Sequence, residues 1–555
     1  MSLDFADLAI AFIVPCLPLL VTAGLLIPVL NRFALAAAAW IPLAGLLLLV
    51  GLHGRVIELP WLLLGARVGV DTLSAPLLLL ATIAWTFAGW HARRHLQADN
   101  QPRFFILWLL TWTGTSCVFI TLDAASFYAA YAMMTFSAYG LIVFNGRAKD
   151  LRAGRIYIVM AIAGEAMIIA ALLLLGADFG NVGLEYGASR IPQLAEARWI
   201  TWLFLGGFAV KMGIVPLHMW LALAHPQAPV PASAVLSGVI IKAGLLGWLR
   251  FLPLGFDGFA AAGLALVAAG LITAFYGAAV SLVQTRAKTV LAYSSISQMG
   301  LIGCAIGAAL TLPESAAALV LVAVLFALHH GLAKAALFLS VDTAKTHPAI
   351  MRVLMWVPAV VIAGAPLTSG AMAKGLFNAA LPESWTWLNH ALLASSVATT
   401  LIMARFLVLA WPTAARGGGG HPLPWMALVI AGLGLPWLIA LGLEPETALS
   451  LLQPLHLLET LWPLLAGIAL VIMAMRWWPA HRVPSLPEGD LVVLFERPDW
   501  QQWMPPRRQP PERMPRALPA GWLEASERVL ARLAPALFIA LTSLVLLFLA
   551  TIGVG

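Results

Sequence analysis

Apolar runs of about 18 to 25 residues recur along almost the whole chain and are separated by short polar segments. A helical run of ~20 apolar residues crosses the ~30 Å hydrocarbon core of a bilayer. The runs predict spans at about 5–30, 35–53, 70–91, 104–122, 124–145, 155–176, 200–221, 228–250, 258–283, 289–310, 314–340, 353–380, 388–411, 423–443, 456–475 and 532–553. We therefore expect an all-α polytopic membrane protein with about 14–16 transmembrane helices.

Composition supports the membrane assignment. Of the 555 residues, 61% are hydrophobic and 10% are charged, with a mean hydropathy of +0.92, whereas a soluble domain carries about 25% charged residues. The three cysteines lie in apolar runs without a CxxC pair, which argues against iron–sulfur clusters, structural zinc and a disulfide framework. The start, MSLDFADLAIAFIV, lacks the basic region of a cleaved signal peptide, so the first run is expected to be a retained span.

Basic residues are distributed unequally between the two sides of the membrane. Most of the 32 lysines and arginines follow odd-numbered predicted spans, whereas the opposite side collects Arg55, Arg67, Arg190, Arg198 and Arg250. Positively charged loops stay in the cytoplasm. The count therefore predicts that both termini lie on the outer side. The expected location is a bacterial or archaeal-type cell inner membrane, in which that side is periplasmic.

Four lysines belong to neither side, because each lies inside an apolar run: Lys211, Lys242, Lys334 and Lys374. A charged side chain at bilayer depth costs at least ~3 kcal/mol, so such residues face a protein interior or a wet cavity. A desolvated lysine can lose its proton, whereas an arginine effectively cannot. The set of lysines therefore favours proton handling over membrane anchoring.

Proline and glycine interrupt two of the runs that carry these lysines. Lys211 is followed by Pro216, and Lys374 is preceded by Gly364 and Pro366. Breaks of this kind free backbone groups, which is tolerated only against protein or a water-filled cavity. Paired interrupted helices in the two halves of a transporter indicate an ion path. We expect two broken helices, and the spacing of the lysines suits two five-helix repeats.

Acidic residues inside the predicted spans are rarer than the lysines. Glu165, in IVMAIAGEAMIIAALL, is the acid that lies plainly in the middle of a helix. Asp71, Asp123 and Asp178 fall near predicted helix ends, where capping or solvation explains them. Glu165 is therefore the candidate acidic partner for a buried lysine.

Histidines add candidates whose roles stay open. His330 precedes Lys334 by four residues and shares its helical face, which suits a proton relay or a buried bond to a carbonyl. His329 lies on another face, which favours a structural role. For His218 and His225, near the loop after the first break, a relay, a loop fastener and an exposed surface position are all open.

Four motifs occur in order along the chain: KMGIVPLHMWLALAHPQAPVPASAVLSGVIIKAGLLGWLRF, VQTRAKTVLAYSSISQMGLIG, LHHGLAKAALFLSVD and GAPLTSGAMAKGLF. With these motifs, about residues 65–410 resemble the antiporter-like subunits of respiratory complex I, Mrp-type cation/proton antiporters and group 4 membrane hydrogenases. AHPQAP with VLSGVIIKAG is most similar to formate hydrogenlyase-type subunits. The resemblance implies two inverted five-helix repeats with two broken helices.

The domain layout follows from the spans and the resemblance. We expect N-terminal helices in 1–100, a first repeat in 101–252, a second, inverted repeat in 253–412 and extra helices in 413–476. The polar stretch 477–531 contains Pro511, Pro515 and Pro519, which exclude a continuous helix through its centre. It is expected to be a cytoplasmic Pro/Arg-rich arm with an amphipathic helix, either a solvated connector or a docking arm, before a last span in 532–555.

The resemblance also implies roles for single residues. Lys211 matches the lysine of the first broken helix and Lys242 that of the next helix, while His330 and Lys334 match a central His-x-x-x-Lys element. Lys374 matches the terminal group on the second broken helix. Together with Glu165 these residues are the predicted proton-translocation set, and His218, His225 and His329 are predicted accessory residues.

Two positions depart from the family pattern. Tyr131 and Ala132 stand where the family carries a tryptophan–glutamate pair whose glutamate pairs with the lysine at position 211. Glu165, on the next helix, falls where some complex I members carry an aspartate, and we predict that it substitutes. Ala222, in WLALAH, replaces the proline of the usual WLPxAH and touches no charge.

The predicted function is translocation of protons, or of a cation and protons, by a membrane subunit of a multi-subunit complex. The transported ion is H⁺, with Na⁺ as a second candidate. Expected partners are the lipid bilayer, other membrane subunits and a cytoplasmic enzyme subunit. We expect no nucleic-acid partner, metal or cofactor, and no catalytic site of the chain's own.

Two alternatives remain. The chain could be a proton-coupled partner of a cytoplasmic enzyme, as in inorganic-carbon accumulation complexes, whose large zinc-binding partner would dock on the cytoplasmic side. It could also be a mainly structural subunit that has lost half its channel, which Ala132 motivates. A stand-alone solute transporter has less support, because the sequence contains no separate substrate-site signature.

Overall fold

The computed structural model describes residues 9–181, 183–411, 422–477, 486–489 and 491–492. An N-terminal group of helices opens the chain. A π-helical turn, Ala9–Ile13, continues into α1 (Val14–Leu26), which is followed by α2 (Asn31–Ala38) and α3 (Gly45–Leu52). A hairpin then pairs β1 (Val56–Leu59) antiparallel with β2 (Ala66–Gly69).

The helices that follow carry the first set of candidate residues: α4 (Ser74–His95), α5 (Gln101–Ile120), α6 (Ala124–Ile142), α7 (Ala148–Phe179), α8 (Leu184–Arg190), α9 (Ala197–Met212), α10 (Met219–Gln227), α11 (Val230–Val235) and α12 (Lys242–Phe251). A π-helical turn, Leu236–Ile240, joins α11 to α12. These two helices and the turn form one span that is fully buried within the molecule.

A second series of helices contains the remaining candidates: α13 (Ala260–Leu282), α14 (Ala287–Thr311), α15 (Ala316–Thr346), α16 (Pro348–Leu354), α17 (Trp356–Ala363), α18 (Ser369–Ala380) and α19 (Thr386–Ala410). The described C-terminal part contains α20 (Leu423–Leu443), α21 (Pro445–Ser450) and α22 (Pro454–Trp477). The predicted arm, apart from Trp477 and the two short described stretches, and the predicted last span lie outside the described residues.

The helices confirm an all-α polytopic membrane protein. Among the described residues, 11 helices are long and apolar enough to cross a bilayer alone, and a pair bent by 59°, Asn31–Ala38 with Ile41–Leu52, makes up to 12. The predicted spans at 124–145, 200–221 and 353–380 correspond to helices outside that count. The first is α6, and the other two are α9 with α10 and α17 with α18, which are interrupted so that each half is short.

Close helix packing builds the centre of the molecule, and α13 against α14 shows how. A Cβ added at Gly270 would lie 2.6 Å from the carbonyl oxygen of Gly300 and 2.7 Å from Sγ of Cys304. Small residues allow helix backbones to approach closely in membranes. As a result, α14, which faces the candidate lysines, is buried along its whole membrane-spanning window.

Polar anchors fix the helix ends on the predicted outer side. Asp123 is buried and caps α6, accepting hydrogen bonds from the N–H of Ser126 at 2.8 Å and of Arg67 at 2.9 Å. Asp71 forms an ion pair with the buried Arg250 at the end of α12. Burial alone would raise the pKa of Asp71, but the Arg250 guanidinium and hydrogen bonds from Ser74 hold it below its usual value.

Candidate functional site

Two interrupted helices have the same backbone geometry at their breaks. Helix α9 ends at Gly213, whose φ of +73° is left-handed, and α17 ends at Gly364 with φ of +86°. Each glycine N–H bonds back to the carbonyls three and four residues earlier, and the N–H of the next residue bonds to the carbonyl five residues back. Glycine adopts this conformation without a steric cost. The two predicted broken helices therefore lie where the sequence placed them.

Indole groups satisfy backbone carbonyls that the breaks release. The Trp220 Nε1–H donates to the carbonyl of Val210 at 2.7 Å, and the Trp437 Nε1–H donates to the carbonyl of Leu367 at 3.1 Å. At the first break, the N–H of Val215 also donates to Oγ1 of Thr273 at 3.0 Å. An interruption inside a membrane persists only when its backbone groups find such partners. Both breaks are thus held by protein contacts.

Lys211 occupies the last turn of α9 and is 4% exposed. Its Nζ donates a hydrogen bond to Oγ1 of Thr135 at 2.7 Å. The same nitrogen lies 4.9 Å from the ring centre of Tyr131 and 5.7 Å from that of Tyr157, within cation–π range. Tyr131, which stands where the resemblance implies a tryptophan, therefore faces the lysine.

Glu165 and Lys211 line the same small cavity. Glu165 is 6% exposed and belongs to α7. The cavity is also bordered by Tyr131, Tyr157 and Trp220. Its volume of about 10 Å³ is close to the ~10–15 Å³ that one water needs. Oε1 of Glu165 has no hydrogen-bond partner among the described atoms. The structure thus brings the predicted pair together around a space of about one water molecule.

Lys242, His330 and Lys334 form the centre of the row and are fully buried. Nζ of Lys242 lies 2.7 Å from Nδ1 of His330 and donates to the carbonyl of Ser237 at 2.8 Å. Nζ of Lys334 donates to the carbonyl of Leu291 at 3.1 Å. The three predicted central residues are therefore hydrogen-bonded to one another or to main-chain oxygens.

Two serines lie between the carbonyls that bind Lys242 and Lys334. Oγ of Ser295 donates to the carbonyl of Leu291 at 2.9 Å, so it must accept the hydrogen bond that joins it to Oγ of Ser237 at 2.7 Å. The carbonyl of Leu291 is also the acceptor for Lys334. A line of hydroxyls and carbonyls thus runs beside the His330 contact.

The second broken helix places Lys374 and its N-terminal residue Ser369 near the row. Nζ of Lys374 donates to Oγ of Ser396 at 2.7 Å, and the lysine is 9% exposed. Nδ1 of His329 lies 2.9 Å from Oγ of Ser369, which itself donates to the carbonyl of Gly432. Because the hydroxyl has one proton, His329 must donate from Nδ1. This fixed bond favours the structural role predicted for His329.

A cavity of about 140 Å³ lies beside Lys374. Its polar lining includes Asn378, Asn389, Ser396, His456 and Glu459. These residues come from the end of α18, the first half of α19 and the beginning of α22, and the charge pattern places these ends of the three helices on the outer side. Lys374 is thus the member of the row with space for several waters next to it.

The candidate row consists of three hydrogen-bonded groups rather than one continuous chain. No hydrogen bond between the described side chains joins the Lys211 group to Lys242, or the central group to Lys374. Gln298 shortens the gap between the central group and Lys374. Its Nε2 donates to Oγ1 of Thr399, which lies one helical turn after Ser396 on α19. Oε1 of Gln298 and Oγ of Ser294 are buried without a partner among the described atoms, and buried polar atoms of this kind are usually bound to water.

The two remaining histidines are buried, which excludes the exposed position that the sequence left open. His218 lies in the first break, with its ring 5.3 Å from that of Tyr276. His225 packs on Phe338 at 5.3 Å between ring centres.

The sequence did not indicate the partners of the row: Thr135, Tyr157, Ser237, Ser295, Gln298 and Ser396. Isolated hydroxyl and amide residues are common in membrane helices, where they usually bond to their own helix, as Thr135 also does. Their positions depend on which helix faces which.

The sequence of this chain also matches a known protein family. The family model described as "NADH:quinone oxidoreductase/Mrp antiporter, TM" matches residues 121–403, about half of the chain. That range contains Glu165, all four buried lysines and both helix breaks.

Curated relatives match part of the chain. Hydrogenase-4 component B of Escherichia coli (strain K12) is 32% identical over 306 residues, which cover 51% of this chain and 44% of the relative. NAD(P)H-quinone oxidoreductase chain 4 of Prochlorococcus marinus (strain NATL1A) is 32% identical over 307 residues, covering 53% of this chain and 55% of the relative. The matches thus span about half the length of these relatives.

Two solved structures share the fold. A chain of the Mrp complex from Dietzia sp. DQ12-45-1b superposes with a TM-score of 0.72 at 20% identity, covering 99% of this chain and 63% of that chain. A chain of the membrane-bound sulfane sulfur reductase, an archaeal respiratory membrane complex, superposes with a TM-score of 0.64 at 18% identity, covering 81% and 99%. At this identity the likeness concerns the fold alone.

Proposed function

Because this chain belongs to the NADH:quinone oxidoreductase/Mrp antiporter transmembrane family, we propose that it translocates protons as one membrane subunit of a larger complex. The observation that carries the proposal is the set of four buried lysines, 0–9% exposed, in helices that are interrupted or lie between the interruptions. Ionisable residues at membrane depth mark ion pathways and proton relays. The relatives' names support a multi-subunit setting.

The proposed path begins with Glu165 and Lys211 and continues through Lys242 and the pair of His330 and Lys334 to Lys374. Each lysine is hydrogen-bonded within its group, and water between Glu165 and Lys211 and in the gaps between groups would complete the path. Three features support such water: the space of about 10 Å³ between Glu165 and Lys211, the buried oxygens of Ser294 and Gln298 that have no partner among the described atoms, and the cavity of about 140 Å³ beside Lys374.

Glu165 takes the role of the family's missing glutamate in this proposal. It lies with Lys211 at one cavity without a direct ion pair in the described structure. A carboxylate that approaches or leaves the ammonium changes the relative stability of the charged and neutral lysine. A water between them would let a proton cross without large movement of either side chain.

The repeat organisation belongs to the same proposal. The regions 101–252 and 253–412 each contain one broken helix with a left-handed glycine at the break. With one crossing per helix, α9 and α17 run in opposite directions, as an inverted repeat requires. Lys211 precedes its break and Lys374 follows its own, so both lysines lie on the same side of the two breaks. That side is the outer one in the orientation predicted from the loop charges.

The experiment is alanine substitution of Lys211 and Lys374 in the intact complex, reconstituted in vesicles. We expect proton translocation to be lost with each variant while complex assembly, checked by native gel, is retained. Lys345→Ala is the matched control, because Lys345 is half-exposed and pairs with Asp342 at the end of α15. Transport at the control rate in both variants would contradict the proposal and support a mainly structural subunit.

A further inference from the structure

A short C-terminal segment docks on the predicted cytoplasmic face of the molecule. The segment consists of residues 486–489 and 491–492, and we call it the Glu488 segment. The Glu488 carboxylate accepts hydrogen bonds from Nη1 of Arg286 at 3.0 and 3.1 Å, from Oγ1 of Thr289 at 2.9 Å and from Nε2 of Gln227 at 3.4 Å. One side chain thus joins the start of α14 to the end of α10.

Apolar packing supports the same contact. Gly489 has a φ of +83°, and an added Cβ would lie 2.7 Å from a methyl group of Leu223 on α10. Leu223 is 3% exposed and Val492 is 7% exposed. The backbone of the segment therefore lies directly on α10, and its position does not depend on the ion pair alone.

The segment borders a basic basin. The basin has a volume of about 530 Å³, and Lys149, Arg152 and Arg286 line it. Glu488 is the one carboxylate among the described residues of its lining. The positive charge of the whole basin attracts the Glu488 carboxylate in addition to its nearest partner, Arg286. This attraction favours the docked position of the segment.

Beneath the basin lies the segment Pro226–Ala228, which contains the last two residues of α10 and the residue after them, and which we call the Pro226–Ala228 turn. The carbonyl of Pro226 accepts from Nη2 of Arg286 at 3.3 Å and from Nζ of Lys288 at 3.4 Å, and Lys288 also donates to the carbonyl of Ala228. Arg286 thus binds Glu488 with one nitrogen and the turn with the other. The arginine is oriented from both sides, so the segment and the turn are mechanically linked.

The turn separates the basin from a buried histidine. His225 directly precedes Pro226 and is fully buried, and neither of its ring nitrogens has a partner among the described atoms. Its ring packs on Phe338, one helical turn after Lys334 on α15. Residues 225 and 226 thus contact the basin residue Arg286 on one side and, on the other, the part of α15 that follows Lys334.

We propose that Glu488 is a positioning residue that keeps the Pro226–Ala228 turn closed over His225 and thereby limits access of cytoplasmic protons to Lys334. The inference rests on the proposed function for its consequence, proton access, but its structural part stands separately. Loss of the carboxylate charge frees Arg286 and Gln227 from the segment. The turn then moves more often, and the basin connects to the buried row.

The first experiment measures whether the Glu488 segment is docked on α10, and it does not depend on transport. Leu223→Cys is introduced into the full-length chain with Cys16, Cys117 and Cys304 replaced by serine, and its reaction with a membrane-impermeant maleimide is timed from the cytoplasmic side. We expect Glu488→Gln to speed the reaction about tenfold, the factor for losing one hydrogen bond to a charged group. Glu488→Lys, which faces Arg286 with a like charge, should speed it further. Glu446→Gln, at an exposed carboxylate on α21, is the control and should change nothing.

The second experiment measures passive proton leak in vesicles that contain the intact complex. Glu488→Gln should increase the leak, and adding Lys334→Ala should abolish the increase, because the opened route leads to that lysine. Unchanged maleimide reaction in both Glu488 variants would overturn the inference. A leak that persists without Lys334 would overturn the assigned route. If transport fails to depend on Lys211 and Lys374 while the maleimide reaction still accelerates, the proposed function falls and the docking of the Glu488 segment stands.

Discussion

Replacing Thr135 with valine removes the one hydrogen-bond acceptor that Lys211 has among the described side chains. Valine has nearly the shape of threonine, and the Thr135 hydroxyl already donates to the carbonyl of Tyr131 at 2.8 Å, so its lone pair is what Lys211 uses at 2.7 Å. Lys211 is 4% exposed, so bulk solvent does not reach the position of this acceptor. Losing a hydrogen bond to a buried charged group costs about 1.5–3 kcal/mol. That energy corresponds to roughly a 10- to 150-fold change in the population of the charged lysine.

The assay is proton translocation by the reconstituted complex, with Thr135→Ser as the matched control because serine keeps the hydroxyl. We expect the valine variant to transport at least about tenfold more slowly than the serine variant, with equal assembly and equal melting temperature. The cation–π contacts with Tyr131 and Tyr157 remain in both variants and cannot explain a difference. Equal rates for valine and serine would refute the idea that this hydroxyl stabilises the charged lysine.

Two further predictions concern stability. Gly270→Val should lower the free energy of unfolding by about 3 kcal/mol or more, because its side chain would meet the backbone of Gly300. Gly434→Val, where an added Cβ meets nothing within 4 Å, should leave the free energy of unfolding nearly unchanged. Thermal melts of the two variants measure the difference. Asp71→Asn should lower the free energy of unfolding at pH 7 by about 1–3 kcal/mol, because the buried Arg250 loses its charged acceptor, and the melting temperature should fall accordingly. Since the pKa of Asp71 is lowered on folding, its contribution is present above the ordinary value of about 3.9 and lost as the pH falls through the folded value. The wild type and the variant should therefore converge in acid, and a constant difference in melting temperature would contradict the assignment.

The spans and the breaks were predictable because they depend on local sequence. A run of apolar residues predicts a membrane helix by length alone, and glycine next to proline predicts an interruption, as Gly364 with Pro366 showed. The bend between α2 and α3 was not predicted. Pro42 and Gly45 lie at the start of the second segment of this 59° bend and are a signal of the same kind, but the prediction of one span at 35–53 rests on apolar length alone.

The candidate lysines were predictable for a different reason. A charge in an apolar run is costly wherever the helix packs, so its presence alone is informative. Their partners depend on helix order and rotation. Ser396 lies 22 residues after Lys374, and Thr135 lies 76 residues before Lys211. The periodicity of a single helix cannot predict these pairings, because the two partners of each pair lie on different helices.

Glu488 illustrates the same limit on a larger scale. In the sequence it is one acid in a polar, proline-rich stretch, and a solvated connector explains it equally well. The contact with Arg286 joins residues 202 apart and becomes visible once α14 and the end of α10 are packed together. Local sequence reasoning could predict an arm on the cytoplasmic side, but could not identify which residue holds it or which turn it covers.

The paired breaks carry the strongest link between sequence, fold and function. A left-handed glycine ends the first half of each interrupted helix, and an indole N–H satisfies a carbonyl near each break. Trp220 is close in sequence to its break, whereas Trp437 comes from α20, 70 residues after the carbonyl it binds. The two halves therefore meet the same backbone requirement with residues from different places in the chain. A lysine beside each break can then lie in the membrane interior because the surrounding protein, and not the lipid, solvates it.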